Sequence, residues 1–459
     1  MASVIAVSAS TAALAEKTPA DRPTYYKDVV PILQESCQVC HRDGGANFGG
    51  MYAPMAFTSY SNVRPWAKAI AKNVSNGTMP PWHADQAHAG EFENERTITE
   101  EQIATLVTWT ETGAARGNPA DAPPAKEFPI HEGWQIGEPD LIVKMTEPFL
   151  VEDEVEDLYQ RFTTHISKEM LPEPRWIRAS ETRPGSGAVH HIVAHPAGGL
   201  VPGGDPKVYP EGVGMLLMPD TTIYWDVHYH KEAGPGTAVW DQSEIGIKFY
   251  PKDVKVTHML RSAMIADWDF VIPAGHPNYE VLADYTFNED VRIINYMPHM
   301  HLRGSAAKFE AFYPDGNSEV LLNIPNYDFN WQTTYQYRDF KFIPKGTRIE
   351  LTSVFDNSAD NPANPDPTID VTFGTPTTAE MIKSPIEYIR AVDREDVEAL
   401  IAARHHGKKG SAEKGKTGSA PAKISNDELI QAMKNKGMTD EEISEYLESL
   451  GVGKKVKDK

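Results

Sequence analysis

The sequence predicts a multidomain chain: a small all-α segment leads into a long all-β region, and a small α-helical appendage follows. Three observations predict this. Apolar residues recur at helical spacing between positions 25 and 115. Short alternating apolar and polar runs, broken by Pro-Gly, Asp-Gly and Lys-Gly turns, fill 134–389. Helical spacing then returns over 424–450. A chain of 459 residues can bury several separate cores.

In the first segment, residues 25–36 turn Val29, Val30, Ile32 and Leu33 toward a core, and 61–76 carry Trp66, Ile70 and Val74 on one helical face. A third helix opens at Thr99, with Gln102 in capping-box position, and stops near Gly113. The only two cysteines of the chain follow the first helix, in Cys37-Gln38-Val39-Cys40-His41. This is the spacing by which one haem c is attached through two thioethers, the adjacent histidine taking an axial iron position. A zinc site would need further soft ligands, and no other cysteine exists to supply them. Residues 22–118 are therefore expected to form a small cytochrome c domain. Its sixth iron ligand is expected to be Met79, in Gly77-Thr78-Met79-Pro80-Pro81-Trp82, where two prolines stiffen an extended loop; Met51, Met55, His83 and His88 are the competitors. A His/Met pair would raise the potential and favour electron transfer over oxygen binding.

Haem of this type is attached outside the cytoplasmic membrane, so a periplasmic or otherwise exported location is expected. Residues 1–15 are small and apolar and end in Ala13-Leu14-Ala15, as in a signal peptide, although no Lys or Arg precedes them, so that the natural start is expected further upstream. No later apolar run has the length of a transmembrane segment. With both cysteines committed to haem, the protein is expected to be free of disulfides. The net charge of −21 excludes nucleic acid and anionic lipid as partners, since either would repel such a surface. Residues 119–133, rich in Pro and Ala at their start, read as a linker.

In the β-region, Phe312-Tyr-Pro-Asp-Gly-Asn317 and Ile343-Pro-Lys-Gly-Thr347 are turn signals, and three histidine groups stand out: Val189-His190-His191-Ile192, Val227-His228-Tyr229-His230 and Pro298-His299-Met300-His301-Leu302. Alternation along a strand would put His299 and His301 on one face, where both rings can converge on a metal. His190 and His191 should point to opposite faces. For both to bind one ion, either the strand is irregular there or one ring binds through Nδ1 and the other through Nε2. His165, His195, His258 and His276 stand singly and are read as structural. Imidazole-only sites suit copper or zinc, and an added thioether selects Cu(I).

Residues 138–390 resemble the copper type II, ascorbate-dependent monooxygenases, the family of peptidylglycine alpha-hydroxylating monooxygenase and dopamine beta-hydroxylase. The resemblance rests on the His-His pair, on Val227-His228-Tyr229-His230 followed by Ser243-Glu-Ile-Gly-Ile-Lys-Phe-Tyr250, on the His-x-His-Leu of 299–302, on Tyr327-Asp-Phe-Asn-Trp-Gln332 and on Thr378-Ala379-Glu380-Met381. With the CxxCH segment in front, the whole resembles bacterial cytochrome c fused to such a monooxygenase. The resemblance implies two successive eight-stranded, jelly-roll-like sandwiches, over 134–264 and 265–395, with a break near Ile265. It implies two coppers per chain. His190, His191 and His228 would hold the electron-transfer copper, leaving His230 unused. His299, His301 and Met381 would hold the copper where oxygen and substrate react. Two departures stand out. The disulfides of the animal members have no counterpart here, and Met297 occupies the position where peptide-amidating members carry an arginine, which argues against a C-terminal glycine peptide as substrate.

The expected function is oxidoreductase chemistry: copper-dependent hydroxylation of a C–H bond in a small organic substrate by O2. Electrons would come through the tethered haem, from ascorbate, or from a redox partner protein. The alternative is a non-catalytic periplasmic copper-binding and electron-transfer cytochrome c protein. At the end of the chain, residues 403–423, with His405 and His406, read as a flexible linker. Residues 424–452 read as a helical hairpin, capped by Ser425 or Asn426, interrupted at Gly437 and reopened by Thr439 with Glu442.

Overall fold

The computed structural model describes residues 22–42, 53, 55–127, 133–201, 205–392 and 395. The expected signal peptide, Met51 and the C-terminal linker and hairpin lie outside them.

The described chain is mostly β, 38% strand against 13% helix. The helices are short, and proline explains part of this. Pro31 confines regular α-helix to Val30–Ile32 between the wider turns Tyr25–Val29 and Leu33–Cys37, and Pro65 sits in a 3₁₀ turn between Tyr60–Val63 and Ala67–Ser75. The longest, Glu100–Glu111, opens on the expected capping box: Gln102 N–H donates to Thr99 Oγ1 and Thr99 N–H to Gln102 Oε1. These turns share a small core around Tyr25, Leu33, Val63, Leu106 and Trp109.

Four principal sheets carry the rest. A six-stranded sheet has the order Leu141–Lys144, Glu244–Phe249, Arg175–Arg183, Val213–Leu217, His258–Met259, with Lys207–Val208 paired to Arg175–Arg183. A four-stranded sheet runs Asp157–Ile166, Thr221–His230, Val189–His195, Gly198–Leu200, and the two enclose one core. The other two, Arg261–Asp267, Ile382–Arg390, Val291–Tyr296, Tyr335–Ile343 and Tyr279–Thr286, Arg348–Phe355, Gly304–Phe312, Ser318–Ile324, enclose a second. Among the described residues the strands of these sheets pair antiparallel except His258–Met259 with Val213–Leu217, and an isolated parallel bridge joins Phe373 to Glu380.

This arrangement corrects the expected fold class. The four sheets stand as a four-bladed, propeller-like assembly rather than as two jelly-roll-like sandwiches behind an all-α cytochrome domain. Alternation specifies that strands form, but which strands pair is decided by contacts far apart in sequence. Nor is the N-terminal segment a self-contained helical unit. After Ala67–Ser75 the chain runs out over the β-body: Phe92 forms a bridge with Tyr337, Glu93 N–H donates to Gln336 O (2.8 Å) and Asp85 N–H to Asn323 O (2.8 Å). Ala84 and Phe92 are buried in the second β-core, with Trp82 packed against it. The passage from one pair of sheets to the other falls between Met259 and Arg261, since Ile265 lies inside the strand Arg261–Asp267.

Candidate metal centre and haem site

The first histidine group is built by strand register. His191 pairs with His228 across Val189–His195 and Thr221–His230, and the ladder shifts between Val189 and His191. That irregularity at His190 turns both neighbouring rings to the same side, the first of the two arrangements foreseen for this pair. All three rings then present the same nitrogen: His190 Nδ1 stands 3.2 Å and His228 Nδ1 3.3 Å from His191 Nδ1. The mixed Nδ1/Nε2 arrangement is thus not the one adopted. Three nitrogens each about 2.0–2.1 Å from a tetrahedral ion would stand roughly 3.3–3.4 Å apart, so the spacing fits a single metal. Among the described residues this is the group of His, Cys, Asp and Glu side chains whose ligand atoms converge, all within 4.8 Å of one another.

Electrostatics agree with that use. Burial, together with the neighbouring His228, pushes His190 down to about 3, and burial holds His191 well below the usual imidazole range. Both rings are neutral at pH 7, so each keeps one nitrogen lone pair. His228 is oriented from behind: its Nε2–H donates to Asp157 Oδ1, while the ring of Tyr159 lies flat on it, 4.1 Å between centroids and 6° between planes. His230 is exposed, its ring 6.3 Å from that of His190 and 6.5 Å from that of His228, outside the converging set.

The second group is organised differently. His299 and His301 follow Val291–Tyr296 in irregular backbone, not in a strand as expected. The rings nevertheless meet, 5.2 Å apart and at 89°. Tertiary contacts replace the ladder: His299 N–H donates to Ser384 Oγ (3.2 Å) and His301 N–H to Glu380 Oε2 (2.9 Å). His299 Nδ1–H donates to Gln332 Oε1 (2.6 Å) and His301 Nδ1–H to Ala379 O (3.3 Å), so Nε2 is the free nitrogen of each ring. Burial lowers His299 to about 4 and His301 to about 3, which keeps both neutral. The backbone N–H of Met381 (3.3 Å) shares with those of His301 and Arg303 (2.7 Å) the fully buried carboxyl of Glu380, which accepts all three. Burial raises Glu380 to about 7 against those three donors. The two histidine groups face each other: the rings of His191 and His299 are 6.3 Å apart, and Phe329 stacks on His190 (5.1 Å) and stands edge-on to His301 (6.1 Å).

In the N-terminal segment Cys37 and Cys40 are free, half-buried thiols, raised by burial to about 12 and about 11. His41 stacks on Phe57 (4.3 Å) and donates Nδ1–H to Met55 O (3.2 Å), which leaves Nε2 for an axial iron position. This donor set fits a haem. Met79 is half-buried, its N–H bound to Asn73 O (3.0 Å), and Met55 packs with Cys37 on the small helical core. His88 is engaged elsewhere, its Nε2 accepting from Asn323 N–H (3.1 Å), so it is no competitor for iron.

Asp157 and Tyr159 had no part in the sequence reading, and Phe329 entered it only within the Tyr327–Gln332 segment, with no role assigned. The i, i+2 spacing of Asp157 and Tyr159 was the available signal, but only the register with Thr221–His230 puts Tyr159 opposite His228.

No family model matches the chain, and no curated protein matches it. Solved structures that align with it include a Paenibacillus xanthan lyase (9% identity, TM-score 0.16, 61% of this chain and 28% of that one) and the infectious bursal disease virus VP2 subviral particle (9%, 0.15, 59% and 89%). A third is the T13 IBDV viral particle (9%, 0.15, 65% and 87%). Likeness at that level carries no argument about fold or function. Among the described residues no helix is long and apolar enough to cross a membrane.

Proposed function

We propose that this chain is an exported, copper-dependent monooxygenase that carries one covalent haem c and two coppers and hydroxylates a C–H bond of a small organic substrate with O2. The observation that carries the reading is the approach of His190 Nδ1 and His228 Nδ1 to His191 Nδ1 at the separation a shared ion requires, with ligand atoms of all three rings within 4.8 Å of one another. His299 and His301, their Nε2 lone pairs free, would hold the second metal with Met381. Cys37, Cys40 and His41 would hold the haem. Copper and haem, when bound, supply oxygen activation and one-electron chemistry. The chain's own residues keep His190, His191, His299 and His301 neutral by burial, orient the ligand rings through Asp157, Gln332 and the Ala379 carbonyl, and wall the space between the two groups with Phe329. The resemblance to the ascorbate-dependent monooxygenases supports the same assignment and leaves the reductant as haem or ascorbate.

The test is metal analysis with an optical spectrum of the full-length exported protein. One haem and two coppers per chain are expected, with haem stain surviving denaturing electrophoresis. O2 consumption by copper-loaded protein with ascorbate and candidate substrates separates the enzyme from a copper-binding electron carrier. Failure to retain copper after dialysis would overturn the reading.

A further inference from the structure

We propose that Asp157 is the positioning residue of the three-histidine site, a carboxylate behind the ligand that fixes His228 to bind metal through Nδ1 and ties it to the segment carrying Met381. The inference rests on the metal reading above and goes beyond it.

The argument begins with the two oxygens of one side chain. Oδ1 takes His228 Nε2–H, and Oδ2 takes the Thr377 hydroxyl at 3.2 Å. An ionised carboxylate only accepts, so this contact requires the proton on Nε2; in the neutral ring that binds a metal, the lone pair is then on Nδ1, the atom that faces His191 Nδ1. Tyr159, two residues along the same strand, covers the flat face of the imidazole and hinders the ring from turning away. His228 retains 1% of its exposure and the Asp157 side chain 25%, so the contact is partly sheltered from water. Thr377 is buried, and the chain from it runs through Ala379, whose carbonyl accepts from His301, to Glu380 and Met381. One carboxylate thereby grips a ligand of the first group and the loop that builds the second. Carboxylates in this relation to a ligating histidine raise its basicity, and their removal typically costs about 10–100-fold in metal affinity.

The experiment is a chelator-competition titration of the full chain with Cu(II), paired with pulsed electron paramagnetic resonance of the remote imidazole nitrogens. In Asp157→Ala one of the two coppers is expected to bind about 10–100-fold more weakly while the other, which loses only the Thr377 contact to its loop, changes less, with a shifted remote-nitrogen signal. Asp157→Asn, which can still accept Nε2–H through Oδ1, should restore part of the affinity; general damage to the fold would not be repaired selectively at one site. Wild-type affinity together with a wild-type remote-nitrogen spectrum in Asp157→Ala overturns the proposal. If that variant does not fold, the same outcome in Asp157→Asn overturns it. Wild-type protein that binds no Cu(II) at all refutes the metal reading itself, and is recognised before any variant is compared.

Discussion

The two histidine groups face each other at 6.3 Å, yet they are held by different means. His190, His191 and His228 stand on paired strands, where the backbone ladder and one irregularity set the ring positions. His299 and His301 stand in irregular backbone, where a serine hydroxyl, a glutamine amide and a buried carboxyl from distant parts of the chain do the same task. A ladder distributes its strength over many hydrogen bonds, so single side-chain changes near it affect the ligand and little else. A loop organised by one carboxyl concentrates the dependence in that group. The comparison therefore predicts unequal sensitivity, which mutation can break or sharpen.

The largest effect is expected from Glu380→Ala. It strands three backbone N–H groups and removes a carboxylate beside the buried Arg303, a loss on the order of 3–5 kcal/mol. Urea unfolding would measure it. Copper analysis of the folded protein should show one copper missing and the three-histidine copper retained; loss of both would mean the two groups are one structural unit. His228→Ala comes next: one copper per chain should be lost, with the unfolding free energy of the metal-free protein changed by no more than about 3 kcal/mol. Should both coppers remain, the convergent Nδ1 set is not a metal site.

Gln332→Leu is a smaller and more selective change. Without an acceptor for His299 Nδ1–H, the second copper should bind roughly 10–100-fold more weakly while the first is unaffected, as read by chelator competition. Equal affinities in variant and wild type would place the control of His299 elsewhere. The mildest change in this set concerns the N-terminal segment. Met79→Ala should leave haem attached through Cys37 and Cys40 but lower its reduction potential, since a thioether ligand raises it. An unaltered potential would exclude Met79, and Met55→Ala would then be the variant to test, because Met55 packs on the same small core as Cys37.

Much of the chemistry was legible in the residues alone. The pentapeptide 37–41 carries its meaning in its spacing, because two thiols and an imidazole on one turn need no distant partner to define their geometry. The Thr99 capping box closes within three residues and formed as read. Histidine motifs, too, announce themselves locally. The choice between the two arrangements open to His190 and His191 did not, because it depended on where the ladder with Thr221–His230 slipped. His299 and His301 converge as their spacing suggested, but in a loop, since Pro298 and the contacts to Ser384 and Glu380 take the place of strand pairing.

Sequence by itself thus singled out the side chains proposed to bind haem and metal, and determined that short strands dominate the region after residue 134 and that the chain is strongly acidic. Tertiary structure alone decided the order of strands in four sheets, the docking of Trp82, Ala84 and Phe92 onto the β-body, the mutual approach of Nδ1 of three histidines, and the placement of Asp157 behind a histidine 71 residues away. The reason is physical. Spacing along a strand or a turn fixes relations over a few residues, whereas partners tens of residues apart meet only where burial of the whole chain brings their strands into register.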